Sequence, residues 1–281
     1  MKETVYTLMY SYQGKNILET VKKIADTFNF EQNLHITIID HNNIDRGDKF
    51  NLGIQGLTIT YKYVNWDVVK SPVALKAEVL KDTNAKWFMQ VGDHVTLSKN
   101  WNLDFIRFLE KRPKSILSGN HKIFLRSFNP FFISKEYQDS EYYEKNNWFD
   151  RDFIFCEMKH IKDVGFPEEF KYFGEEELMS LDARIKGYEI LSIPTRSLDN
   201  QTVPLAGREY VSFSLTHGYN NFIRFLRSNH DKISTYKDYC FNFEQLNYLP
   251  FENDDVYYDQ KKGKFDNMDG TRYIEKTRKI D

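Results

Sequence analysis

From residue 5 to residue 91, short apolar runs alternate with helically spaced segments, and this alternation restricts the fold more than any other feature of the chain. Residues 5–10 read as a strand. In residues 17–28, Ile17, Val21, Ile24 and Phe28 recur at the spacing of one helix face. Residues 34–39 (LHITII) form a second strand, followed by the turn formers Asp40-His41-Asn42-Asn43. Residues 57–64 give a third strand. Ser71 and Pro72 suit the N-cap and first turn of a helix that runs to about Lys81. Residues 87–91 (WFMQV) give a fourth strand, mostly apolar and therefore buried. Strands separated by helices argue for an α/β fold with a mostly parallel central sheet flanked by helices. Ligands then bind at the carboxyl ends of the strands.

The second half is less regular. A helix is expected over residues 101–109, a strand over 149–157 (FDRDFIFCE) and a helix over 175–186, ended by Gly187. A strand over 188–193 stops before Pro194. The pattern changes beyond about Tyr210. Residues 217–228 read as an amphipathic helix, and the chain after Pro250 is polar. The expected division is a main domain over residues 1–215 and a C-terminal helical or irregular extension over 216–281. With 281 residues, 41% of them hydrophobic, the chain has material for one large core.

Composition narrows the functional classes. A net charge of −2 supplies no basic excess for gripping duplex nucleic acid. Cys156 and Cys240 are far apart, with no zinc-finger spacing and no disulfide framework. No apolar segment approaches the roughly 20 residues of a membrane span, and residues 1–14 carry no apolar leader. The expectation is a soluble cytoplasmic protein with no membrane partner. No glycine-rich dinucleotide motif, P-loop or serine-hydrolase elbow is present.

Gly92-Asp93-His94 follows the fourth strand directly. One reading is a solvated turn. The other is a cation site, because divalent cations take carboxylate oxygen and Mn²⁺ also accepts imidazole nitrogen. Gly92 would let backbone approach a ligand closely. Glu175, Glu176 and Glu177 open a predicted helix, where the macrodipole favours acids by about 0.3–1 kcal/mol each. Alternatively Glu175 or Glu176 faces a cleft and acts as a general base, with Glu177 further round the helix. Asp40 is either a turn residue or an acceptor for a base or ribose. Lys76 lies either on a solvated helix face or against a nucleotide.

Two blocks of this sequence resemble nucleotide-sugar glycosyltransferases of the GT-A fold. The first is VALKAEVLKDTNAKWFMQVGDHV, residues 73–95, a helix with a basic residue, a turn, an apolar strand and an acidic tip. Lys76 matches the basic position, and Gly92, Asp93 and His94 match an Asp-x-His motif whose first position is here glycine. The second is VGFPEEFKYFGEEELMSLDARIKGYEILSIP, residues 164–194, with its Phe-Gly-Glu-Glu segment. The closest likeness is to the Skp1-type hydroxyproline N-acetylglucosaminyltransferases, with family-2 transferases more distant. The resemblance covers roughly residues 4–220. It implies a UDP-sugar or similar donor, bound by Ser11, Tyr12, Asp40, Lys76, Gly92 and Asp93. It implies Mn²⁺ or Mg²⁺ on Asp93, His94 and His217, with catalysis by Glu175 or Glu176. The acceptor would be a hydroxyl on a protein side chain or on a hydroxymethylated DNA base. A non-catalytic sugar- or nucleotide-binding module and a nucleotidyltransferase are the competing classes.

Overall fold

The computed structural model describes residues 2–12, 16–42, 44–65, 72–119, 121–125, 133–137, 143–146, 148–150, 152–168, 175–194, 197–200, 228–229, 231, 256–259 and 264–267. In chain order the first elements are β1 (Thr4–Tyr12), α1 (Ile17–Thr27), β2 (Asn33–Asn42), a 3₁₀ turn (Gly47–Phe50), β3 (Leu57–Asn65), α2 (Pro72–Lys81), β4 (Trp87–Gly92) and β5 (Val95–Leu97). Then come α3 (Trp101–Glu110), β6 (Ser115–Ser118), β7 (His121–Leu125), β8 (Ile133–Tyr137), β9 (Glu144–Asn146) and β10 (Phe153–Glu157). The last are α4 (Met158–Val164), α5 (Glu175–Ile185), β11 (Glu189–Ser192), β12 (Leu198–Asn200), β13 (Val256–Asp259) and β14 (Lys264–Asn267).

Eight strands form one mixed sheet in the order β3-β2-β1-β4-β10-β6-β11-β9. β1 to β4 are mutually parallel, as the alternation with helices requires. β10 runs antiparallel to β4 and β6, and β9 runs antiparallel to β11. Alternate residues of each strand point to opposite faces, so the sheet divides the interior into two cores. Leu8, Phe88, Ile154 and Cys156 pack on one face with Leu75, Ile161 and Leu181 from α2, α4 and α5. Val5, Met9, Trp87, Met89, Val91, Phe153 and Phe155 pack on the other face with α1 and α3. Ile17, Val21 and Ile24 form the buried stripe of α1, as their spacing predicts.

The structure departs from the sequence expectations in instructive places. Asp40, His41 and Asn42 continue β2 instead of turning. Their backbone stays in register with Ser11 and Tyr12 of β1 and with residues 63–65 of β3. Protein donors satisfy the Asp40 carboxylate, so nothing forces it outward. The strand expected over 149–157 begins only at Phe153. β5, β6 and α4 are short elements that periodicity does not announce. Gly187, at φ +80°, ends α5: its N–H donates to the Arg184 carbonyl at 3.0 Å and that of Tyr188 to Ala183 at 2.9 Å. Within the polar tail, β13 and β14 pair antiparallel. Ser71, and most of the helix expected over 217–228, lie outside the described residues. No helix among the described residues is long and apolar enough to cross a membrane.

Candidate active site

β1, β2 and β4 end along one rim of the sheet, with Gly92 opposite Tyr10 and Ser11 opposite Asp40. Three polar clusters stand on this rim.

The first is built on the turn after β4. Ser11 Oγ donates to Asp93 Oδ2 at 2.5 Å, and Thr20 Oγ1 of α1 donates to the Asp93 carbonyl at 2.6 Å. His94 Nδ1 lies 3.0 Å from Asp93 Oδ1, and His94 Nε2 lies 3.5 Å from Asp152 Oδ2. Asp152 and Asp93 together push the His94 imidazole up to about 10, with burial opposing them in part. His94 is therefore an imidazolium at neutral pH. The side chains of Asp93, His94 and Asp152 remain 17%, 21% and 27% exposed, so a ligand can reach all three.

Gly92 makes room for this cluster. Its N–H donates to the Asp152 carbonyl at 2.9 Å. A Cβ at Gly92 would stand 3.0 Å from His94 Cε1 and 3.1 Å from Asp152 Oδ1. Asp152 is itself positioned. Its N–H donates to Asp150 Oδ1 at 3.1 Å, and the N–H of buried Asp150 donates to Ser118 Oγ at 2.7 Å.

The second cluster joins the two sequence blocks. Lys76 of α2 is buried, not solvated, and its Nζ lies 3.7 Å from Glu175 Oε1. The same ammonium sits 5.9 Å from the centroid of the Tyr10 ring and 5.8 Å from that of Phe166. Glu175, Glu176 and Glu177 are all buried, Glu177 included, so the first turn of α5 is not a solvated acidic cap. Ser180 Oγ donates to the Glu176 carbonyl and accepts from the Phe149 N–H at 2.7 Å. The start of α5 is thus stitched to the segment that leads to Asp152.

The third cluster is closed. Asp40 is fully buried, and its carboxylate accepts from Arg46 Nε at 2.9 Å, Arg46 NH2 at 2.7 Å and the Tyr61 hydroxyl at 2.8 Å. A nucleotide contact by Asp40 would require this pairing to open. The Tyr12 backbone pairs with His41 at the same rim. His217 lies outside the described residues, as do Phe173 and Gly174.

Sequence reasoning missed Asp152, Arg46 and Thr20. Asp152 had a signal: Asp150 and Asp152 precede one apolar strand just as Asp93 and His94 follow another. A pocket of about 310 Å³, whose lining includes Phe50, Asn51, Leu52, Ile54, Ile59 and Tyr61, opens beside edge strand β3. It contains none of the predicted site residues, so the rim, with its convergent polar groups, is the stronger candidate.

Two carboxylates and an imidazole are the donor types that Mn²⁺ accepts, and the space at Gly92 is the room such a site needs. Among the described residues, no three His, Cys, Asp or Glu side chains already stand as a cation cage.

The eight-stranded central sheet and its flanking helices are those of the GT-A-type glycosyltransferase fold. Neither a family model nor a curated protein matches the sequence. Among solved structures, GalNAc-T7 with UDP, GalNAc and Mn²⁺ is similar over 83% of this chain and 50% of its own, with a TM-score of 0.64 and 10% identity. S. aureus TarS is similar over 82% of this chain and 39% of its own, with a TM-score of 0.57 and 14% identity. Its 1–349 portion in complex with UDP-GlcNAc aligns over 84% of this chain and 68% of its own, with a TM-score of 0.56 and 15% identity. The chain thus spans about half the length of the GalNAc-T7 chain and less of full TarS. At these identities the likeness establishes the fold.

Proposed function

We propose that this protein is a glycosyltransferase that moves a sugar from a nucleotide sugar, most simply a UDP-sugar, to an acceptor hydroxyl with the help of Mn²⁺ or Mg²⁺. The observation that carries this reading is the convergence of the two sequence blocks on one rim, with the Asp93-His94 turn at the end of β4 and the Lys76–Glu175 pair beneath β1. The solved structures of similar fold that hold UDP or UDP-GlcNAc support the donor class.

In this reading His94 and Asp93 hold the cation, with His217 as a further ligand, and Ser11 fixes the Asp93 carboxylate. When bound, the cation supplies positive charge to a leaving diphosphate. To hold the cation His94 would offer a neutral ring nitrogen. In this reading Tyr12 contacts the nucleoside, and Asp40 does so only once its pairing with Arg46 opens. Lys76 holds Glu175 as a fixed negative charge, and Glu176 takes the proton of the acceptor hydroxyl at its carboxylate. Residues 1–215 form the catalytic domain and 216–281 an extension. The likeness to the Skp1-type enzymes rests on the two blocks alone, and with it an acceptor on a protein side chain. A hydroxymethylated DNA base is the other acceptor to assay.

A thermal-shift screen of UDP-, GDP- and CMP-sugars with and without Mn²⁺ tests the reading, because a ligand specific to the native state raises Tm by mass action. A shift that needs both one nucleotide sugar and the metal is expected, and no shift with any pair would remove the proposal. Slow release of nucleoside diphosphate would mark a transferase, release of pyrophosphate a nucleotidyltransferase, and neither a binding module.

A further inference from the structure

The first motif position is Gly92, which has no carboxylate to offer a cation. Across the sheet, antiparallel pairing sets Phe153 opposite Val91, so Asp152 arrives beside Gly92 at the entry to β10. The backbone closes this approach, with Gly92 N–H donating to the Asp152 carbonyl at 2.9 Å. The Asp152 side chain then reaches over Gly92 to His94, with Oδ2 at 3.5 Å from Nε2. The space is tight. A Cβ at Gly92 would stand 3.1 Å from Asp152 Oδ1 and 3.0 Å from His94 Cε1. A side chain at position 92 would therefore crowd the carboxylate of residue 152 and push it from its present place. Asp152 is also preset, because Asp150 Oδ1 accepts its N–H at 3.1 Å and Asp150 is locked to Ser118. Its side chain keeps 27% exposure, which a ligand needs and a purely buried counter-ion does not.

We infer that Asp152 supplies to a divalent cation the carboxylate that Gly92 lacks, so that the cation site is divided between the end of β4 and the entry to β10. This deepens the proposed function and rests on its metal-dependent reading. The ligand class is a hard or borderline divalent cation, with Mn²⁺ preferred to Mg²⁺ because His94 brings an imidazole nitrogen.

The test is an electron paramagnetic resonance titration that counts free Mn²⁺ against the full chain, with no donor and no turnover. Asp152→Asn keeps the side-chain shape and removes the charge. Loss of even an outer partner of a metal ligand weakens affinity about 10- to 100-fold, so D152N is expected to weaken Mn²⁺ binding at least about tenfold. The exchange Gly92→Asp with Asp152→Gly returns the carboxylate to β4 and frees its place. It is expected to bind Mn²⁺ within about threefold of wild type, because the ligand types are conserved. Gly92→Asp alone, where the new side chain crowds Asp152, is expected to bind more weakly than the exchange. Wild-type affinity in D152N, with binding lost in His94→Ala, would reduce Asp152 to a counter-ion of His94 and leave the metal reading standing. No Mn²⁺ binding by the wild type would overturn both. If D152N fails to fold, as judged by its near-ultraviolet circular dichroism, the exchange variant decides: failure of that folded variant to bind overturns the inference.

Discussion

Two acidic clusters stand on the same rim of the sheet and differ in what holds them. Asp40 is sealed, with its carboxylate taken by Arg46 and Tyr61 and no exposure of its own. Asp93 and Asp152 share the His94 imidazolium and stay partly open to solvent. A carboxylate at a strand end is thus an ambiguous sign. Its meaning is decided by whether its partners close it off from solvent. The sealed cluster is a structural pairing, and the open one is where we propose that the cation binds.

The comparison can be broken by substitution. Arg46→Ala strands a buried charge, and breaking such a pair costs about 3 kcal/mol. A denaturant titration should show that loss with Mn²⁺ affinity unchanged, and a change within ordinary error would mean that the third cluster is not structural. The two glycines that face the Asp150–Asp152 segment sharpen the same contrast. A Cβ at Gly119 would meet buried Asp150, with its Cγ at 2.8 Å. Gly119→Ala should therefore cost about 2 kcal/mol by overpacking. Gly92→Ala, facing side chains that can swing toward solvent, should cost about 0.5 kcal/mol while weakening Mn²⁺ binding; equal unfolding midpoints for the two would erase the distinction. His94→Ala should lower stability at neutral pH, because the proton that Asp152 and Asp93 hold on the ring is lost, and should abolish the Mn²⁺-dependent donor shift. A retained shift would move the cation elsewhere.

The smallest effect lies away from the rim and serves as its control. Burial holds His160 below its ordinary value of 6.5. The unfolded chain therefore takes up its proton first. Stability from this residue is complete above 6.5 and falls as pH drops through that value. The stability difference between wild type and His160→Asn should shrink on acidification in urea titrations at two pH values, and a constant difference would contradict it.

The parallel half of the sheet was legible because its strands are apolar runs and α1, which follows β1, carries a clean apolar stripe. Ile17, Val21 and Ile24 needed only local spacing to be recognised. β6, with the sequence Ser-Ile-Leu-Ser, is a strand because β10 and β11 flank it, and four residues carry no period of their own. In the site, Asp93 and His94 were legible because they interrupt an apolar run. Asp152 was not, because residues 149–157 read as one strand although pairing with β4 starts at Phe153. Lys76 read either as a surface lysine or as a nucleotide contact. It is buried and faces Glu175 from another part of the chain, and no local pattern encodes that contact.

The strand order also fixes a schedule for a chain emerging from the ribosome. β1 to β4 can pair once Gly92 has been made, but the outer partner of β4 is β10, which begins at Phe153. β9 has no neighbour in the sheet until β11 arrives at Glu189. During that interval β4 is an open edge of six residues, five of which are buried in the finished fold. Lys86 precedes this edge and Asp93 follows it. The charges that bracket Trp87–Gly92 discourage two nascent chains from joining edge to edge.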